Sequence, residues 1–303
     1  MARRWTPTVI ALATALSTAS AQEIVGRDES IFSLAERVGA GQWVRIASPN
    51  GAVRITRGTS SQVEIRAEKT VRRGSIEDVG FIVHRSEGGV TICAVYDDDD
   101  CGQDGSYRSA DRPRGWWDRH QIRIDFTVQV PAGVRVRGTS GNGDVSISGA
   151  GAEVVASTGN GRVDVSETTG EVRATSGNGR VTVDGARGPV EVSTGNGDIR
   201  VATSRGPVSA RSGNGDIDVA MDELDGSPDM EFTTGNGRIT LTVPDGFGAE
   251  LQSNTGNGRV EVDLPLTVRG RITPRRVNGT LGNGGGRLEL RTGNGDLEIR
   301  RKS

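Results

Sequence analysis

Polar and apolar residues alternate in short bursts along most of this chain. Arg162-Val163-Asp164-Val165-Ser166 alternates strictly, the mark of a half-buried strand. Glu167-Thr168-Thr169-Gly170 is a turn, Glu171-Val172-Arg173-Ala174-Thr175 a second alternating strand, and Gly177-Asn178-Gly179 turns the chain again. The scheme repeats with Val181 and Val183, Val190 and Val192, then Ile199 and Val201. Each strand offers two small apolar side chains, too little to hold a unit alone, so the units must stack.

The repeat is marked by Gly-Asn-Gly, with its asparagine at Asn142, Asn160, Asn178, Asn196, Asn214, Asn236, Asn257, Asn283 and Asn294. The first five lie 18 residues apart, and the later gaps are 22, 21, 26 and 11. Eight of the nine tripeptides follow a Ser or Thr. An antiparallel meander would use Asn-Gly as a hairpin turn, but its sheet would far exceed the usual limit of about ten strands. It would also need a helical cover, and no amphipathic helix is present. A parallel β-solenoid instead buries its inward residues against the opposite wall of the same coil. The pattern therefore predicts an all-β chain, a solenoid of 18-residue coils with an irregular N-terminal β cap.

Stacked coils about 4.8 Å apart predict side-chain ladders. The nine asparagines are expected at the corners, where flanking glycines permit positive φ and the amides can bond along the axis; tolerance of the left-handed region alone would also account for Asn there. After eight of the nine tripeptides the next residue is Asp, at 144, 198, 216 and 296, or Arg, at 162, 180, 238 and 259. Stacking in sequence order sets Asp144 by Arg162, Arg180 by Asp198 and Asp216 by Arg238. It also sets like charges together at Arg162/Arg180, Asp198/Asp216 and Arg238/Arg259. A mixed Asp/Arg column is unlike a calcium-binding nonapeptide roll, which needs a recurrent Asp.

Residues 41–138 carry the same strand chemistry less regularly. Three domains follow: a signal segment at 1–21, an irregular N-terminal region at 22–138 with an inserted loop at 93–121, and the repetitive solenoid at 139–303. Cys93 and Cys101 flank an acidic run, Asp97 to Asp100. Two thiols without a histidine make a poor zinc site, so a disulfide closing the base of a loop is expected. The acidic run lacks the spaced ligands and distal Glu of an EF-hand and is read as a solvated turn. Trp116 and Trp117, beside Arg114, Arg119 and His120, have two readings: a ligand platform, or packing over the solenoid's end, which is preferred.

Composition narrows the function. Basic and acidic residues number 37 and 39, without the basic surplus that nucleic acid or an anionic membrane would require. Arg3 and Arg4, the apolar stretch Val9 to Leu16, and Ala19-Ser20-Ala21 form a secretory signal pattern, with cleavage expected before Gln22. That stretch is too short to span a bilayer, so an exported protein, periplasmic or at the cell surface, is expected. Sugar-processing β-helices need paired carboxylates and commonly stacking aromatics. From Thr139 to Ser303 the only aromatics are Phe232 and Phe247, and no nucleophile elbow, zinc motif or phosphate loop occurs. No catalytic residue, metal site or cofactor is assigned.

The signal segment, the lead-in Val130-Pro131-Ala132-Gly133-Val134 with its second copy Val243-Pro244-Asp245-Gly246, and the serial Ser/Thr-Gly-Asn-Gly-Asp/Arg-Val/Ile strands resemble a bacterial "putative adhesin" family of exported β-strand-repeat domains of unknown function. The resemblance covers about residues 40–300. It implies surface adhesion and carries no catalytic or ligand residues. Bactofilin-like polymers are similar in coil length but are usually cytoplasmic and lack a signal peptide. The expected function is a non-catalytic structural or adhesive envelope module whose partner is an envelope polymer, glycan or protein. The alternatives are a self-assembling scaffold and a carbohydrate-active β-helix.

Overall fold

A computed structural model describes residues 24–203, 205–268 and 273–302; the expected signal segment and its cleavage site lie outside them. The alternating strands form a parallel β-solenoid with two walls, a fourteen-stranded and a twelve-stranded sheet. Each coil gives one strand to each wall: Val154–Asn160 and Val163–Ser166, then Val172–Asn178 and Val181–Ala186, then Val190–Asn196 and Ile199–Thr203. Register in these coils is one repeat, with Val154 beside Val172 and Val172 beside Val190.

The core is a narrow seam between the walls. In one coil Val154 and Ala156 face Val163 and Val165, all buried. Period-two alternation puts every second side chain in that seam, so small Val and Ala set a thin interior. Toward the far end the same slots hold the larger side chains of Phe232, Leu241, Leu290 and Ile299. One inward group is mismatched. Thr168 is fully buried and its Oγ1 has no hydrogen-bond partner, whereas Ala150 and Ala186, 18 residues before and after it, are buried without a polar group.

The parallel array begins earlier than residue 139. Trp43–Asn50 pairs in parallel with Arg135–Asn142, so that Asn50 lies beside Asn142. Val53–Arg57 pairs likewise with Val145–Ser148. The strand Arg135–Asn142 runs straight through the expected boundary at 138/139. One coil further out, Gly89–Tyr96 and Gln121–Val130 still run parallel to these strands. Only beyond them does pairing turn antiparallel, in Val63–Arg73 and Val79–Ser86 and then in Ile24–Val25 and Ile31–Glu36. Phe32, Phe81 and Phe126 fill this end, with ring centroids 4.5 and 5.9 Å apart. Lys69, 5% exposed, directs its Nζ at the carbonyls of Gly26, Arg27, Ile76 and Val79. Burial, then the charge of Arg27, pulls its pKa down to about 8.

At the other end the coils depart from sequence order. The last strands of the chain, Arg287–Asn294 and Leu297–Arg301, insert between Met230–Asn236/Ile239–Val243 and Ala249–Asn257/Val260–Val262. The expected Arg238/Arg259 contact is therefore replaced. Asp296 stands between them, 3.9 Å from the Arg238 guanidinium, and accepts the Arg259 backbone N–H at 2.9 Å. Two antiparallel strands, Arg276–Leu281 and Leu266–Val268, then finish the wider sheet.

Two stability outcomes follow. Thr168→Val, which keeps the shape and removes the orphaned hydroxyl, raises unfolding free energy by about 1 kcal/mol in urea denaturation. Asp296→Ala lowers it by roughly 1–2 kcal/mol, because the Arg259 N–H loses a charged acceptor and two arginines face each other. Asp245→Ala, at an 84% exposed carboxylate, is the control and changes it by less than about 0.5 kcal/mol.

Candidate functional site: the asparagine edge and the inserted loop

The most ordered polar feature is the edge where the Gly-Asn-Gly corners stack. Asn142, Asn160, Asn178, Asn196, Asn214, Asn236, Asn294 and Asn257 form one column, in which each Nδ2 after that of Asn142 donates to the preceding Oδ1 at 2.6–2.9 Å. The residue two positions before each asparagine explains the motif. Its hydroxyl turns inward and donates to a glycine carbonyl of the neighbouring coil, as Thr158 does to Gly143 at 2.8 Å and Ser176 to Gly161 at 2.9 Å. That carbonyl would otherwise be left without a partner at the edge of an apolar seam. The same oxygen sits where a Cβ on the next corner's second glycine would lie, so Gly161, at φ +156°, has no room for a side chain.

Asn283 is not in the column. It lies in the turn between Arg276–Leu281 and Arg287–Asn294, where Gly284 N–H donates to the Leu281 carbonyl at 2.9 Å. The sequence carried the signal, since Leu281 stands where every other tripeptide has Ser or Thr. Asn50 holds the register instead, and Ser48 two residues before it marks the site. Pro49 in place of a glycine hides it from a search for the tripeptide.

The column beside the asparagines also acts on the backbone. Asp144 accepts the Arg162 N–H at 2.8 Å and its guanidinium at 2.9 Å. The backbone bond foremost, and then the side chain of Arg162, hold the Asp144 carboxyl below its ordinary range against the opposing effect of burial. Asp198 accepts the Asp216 N–H at 3.2 Å, and Asp216 accepts the Arg238 N–H at 2.8 Å. The expected Arg180–Asp198 pair forms at 3.3 Å.

Residues 97–120 replace a corner in the coil built from Gly89–Tyr96 and Gln121–Val130. A disulfide joins Cys93 to Cys101, with Cα atoms 6.3 Å apart. The acidic run is not a solvated turn throughout, because Asp99 is buried and organises the insert. One of its oxygens accepts from Ala110 N–H at 2.9 Å and Arg112 at 2.7 Å; the other accepts from Tyr96 N–H at 3.1 Å and the Tyr107 hydroxyl. Asp97 pairs with Arg27. Trp116 is engaged from several directions: His120 stacks on it at 4.1 Å, Tyr96 meets it edge-on at 4.8 Å, and Arg112 lies 4.2 Å from its centre. The side chain of Trp117 lies outside the described residues. On the outer face Trp43 gathers Arg45, Arg135 and Arg137 within 4.6–5.8 Å.

Where the insert interrupts the corners, a cleft of about 760 Å³ opens. Asn50 and Asn142 from the corner edge, Thr70, Arg72, Arg123 and His120 are among its lining residues. Among the described residues no group of three His, Cys, Asp or Glu side chains is placed to hold a metal ion, and no helix is long and apolar enough to cross a membrane.

The family Toastrack DUF4097 matches residues 116–300, which span most of the parallel array. The chain belongs to the Toastrack DUF4097 family. No curated protein matches this Toastrack chain. Among solved structures it is similar to a "putative adhesin" from Bacteroides fragilis, at 13% identity and TM-score 0.48, covering 90% of this chain and 98% of that one. A second, from Parabacteroides distasonis, gives 11%, 0.39, 90% and 98%, and a third, from Parabacteroides merdae, 10%, 0.37, 90% and 97%.

The two tyrosines of this Toastrack chain both report on the insert. Burial first, then the charges of Asp99 and Asp78, pushes the Tyr96 phenol up to about 12. Burial and the bond to Asp99 raise Tyr107 further. Above the ordinary tyrosine range, about pH 10, the unfolded chain gives up protons that the folded chain keeps, so stability falls as pH rises from there. In an alkaline titration, phenolate absorbance is absent through the ordinary tyrosine range, about pH 10, for as long as the β-sheet circular dichroism persists. Phenolate forming near pH 10, the ordinary range, with the fold intact would contradict this account of Asp99.

Proposed function

We propose that this Toastrack chain is an exported, non-catalytic β-solenoid serving as a structural or adhesive module of the cell surface or envelope. The use made of its carboxylates carries this reading. Asp144, Asp198, Asp216 and Asp296 each accept a backbone N–H of the adjoining coil. A catalytic pair on a β-helix needs carboxyl groups free to exchange protons with a substrate. What the array offers is a stiff surface with regularly repeated amides, hydroxyls and ion pairs, suited to many weak contacts with a polymer. The N-terminal signal pattern supports export. Antiparallel strands finishing both sheets at one end and the wider sheet at the other weigh against end-to-end self-assembly, since they break the parallel register a stacked copy would continue.

Two measurements test the reading. Protease shaving of intact cells is expected to remove the protein from the surface, and the purified chain is expected to bind an envelope polymer, glycan or protein at micromolar concentration in an array and pull-down survey. Failure of both would overturn the adhesive role. Hydrolysis or elimination of an acidic polysaccharide, lost on Asp198→Asn or Asp216→Asn, would overturn the non-catalytic one.

A further inference from the structure

The asparagine column has a direction. All seven of its bonds run from Nδ2 of one coil to Oδ1 of the coil nearer the insert. Amides aligned in this way polarise one another, which strengthens the terminal donor. That terminus is Asn142, whose Nδ2 has no partner among the described residues. Asn50 is next in register, but it gives its own Nδ2 to the Ile122 carbonyl at 2.8 Å and leaves the column. The break falls at the wall of the 760 Å³ cleft, which both residues line.

The other groups facing the cleft are mainly donors. Arg72, on Val63–Arg73, has no ion-pair partner among the described residues. Arg123 holds Asp125 through Nε alone, 2.9 Å from each carboxylate oxygen, which leaves its terminal nitrogens available. Asp125, the one carboxylate among the described lining residues, also accepts the Ala52 N–H at 2.7 Å. His120, from the insert, directs Nδ1 at the Trp116 carbonyl at 3.0 Å and has Nε2 3.8 Å from Asp78. Thr70 and Gln121 add a hydroxyl and an amide.

We propose that this cleft is a binding site for an acidic sugar, a uronate residue within a polysaccharide. A guanidinium matches a carboxylate in planar, two-point geometry, and Arg72 and Arg123 stand ready for it. Asn142 Nδ2 donates to a ring hydroxyl, which in turn donates to Asn50 Oδ1 and closes the gap in the column. The volume lies within the usual range for small-ligand clefts, roughly 300–1,000 Å³. Arg72, without an ion-pair partner among the described residues, and Arg123, tied to Asp125 through Nε, stand beside amides and hydroxyls and suit a single carboxylated sugar unit, whereas a nucleic acid needs a broad basic surface. The assignment rests on the adhesive reading and names its ligand.

Calorimetric titration of the purified chain with trigalacturonate, its methyl ester and inorganic phosphate tests the site. Trigalacturonate is expected to bind, with the ester and the Arg72→Ala and Asn142→Ala variants about tenfold weaker or worse. Arg173→Ala, on the outer wall away from the cleft, is expected to bind as the parent does. Equal binding of the ester, affinity unchanged in Arg72→Ala, or displacement by an equal concentration of phosphate would each overturn the proposal. If trigalacturonate fails to bind while another glycan does, the cleft assignment falls and the adhesive reading stands. If none of the three probes binds, the cleft assignment falls, and the adhesive reading falls with it only if shaving and the partner survey fail as well.

Discussion

Stacking depends on the inward hydroxyl bond at each corner. A tight turn between two walls points one glycine carbonyl at the neighbouring coil, where an apolar seam would leave it stranded. A Ser or Thr two residues before the asparagine supplies the donor, repeatedly, from Ser140 with Gly51 to Thr255 with Gly295. Once that oxygen is directed at the next coil, only glycine fits beside it, and the asparagine is left on the outside to pair with its own kind. One bond thereby accounts for three of the four positions in the motif. It also accounts for Asn283, which has no such hydroxyl and stands apart.

Charges are arranged around the same corners. The aspartates following the motif cap N–H groups of the adjoining coil, so their contribution rests on backbone pairing more than on exposed ion pairs, each worth about 0–1 kcal/mol. Asp296 between Arg238 and Arg259 keeps the two guanidiniums from facing each other in the observed coil order. At the opposite end the insert ends both the corner column and the uniform turns. Its interior is held by Asp99 and the disulfide together with the packing of Trp116. Lys69 has a comparable role in the cap, where a compact ammonium can reach four carbonyls at once.

Much of the fold was legible in the chain. The 18-residue period, the two strands per unit and the inward Val and Ala positions all follow from local alternation, because a coil only copies its neighbour. Eight of the nine corner asparagines were identified by the same regularity. The Asp144–Arg162 and Arg180–Asp198 contacts were legible too, since equal spacing brings equal positions together. The inserted loop was legible as an interruption but not in its organisation: nothing local distinguishes buried Asp99 from exposed Asp98 beside it.

By itself the sequence determined the coil, its corners and its thin core, since each rests on contacts one repeat apart that the pattern states directly. Tertiary structure alone decided the order of the coils at the C-terminal end, the return of Trp43–Asn50 into the array and the cleft where the asparagine column stops. These depend on pairings between segments far apart in the chain. Any Gly-Asn-Gly coil can stack on any other through the same backbone bonds, so local pattern leaves the partner open. Charge, end-capping and the path of the connecting chain select it.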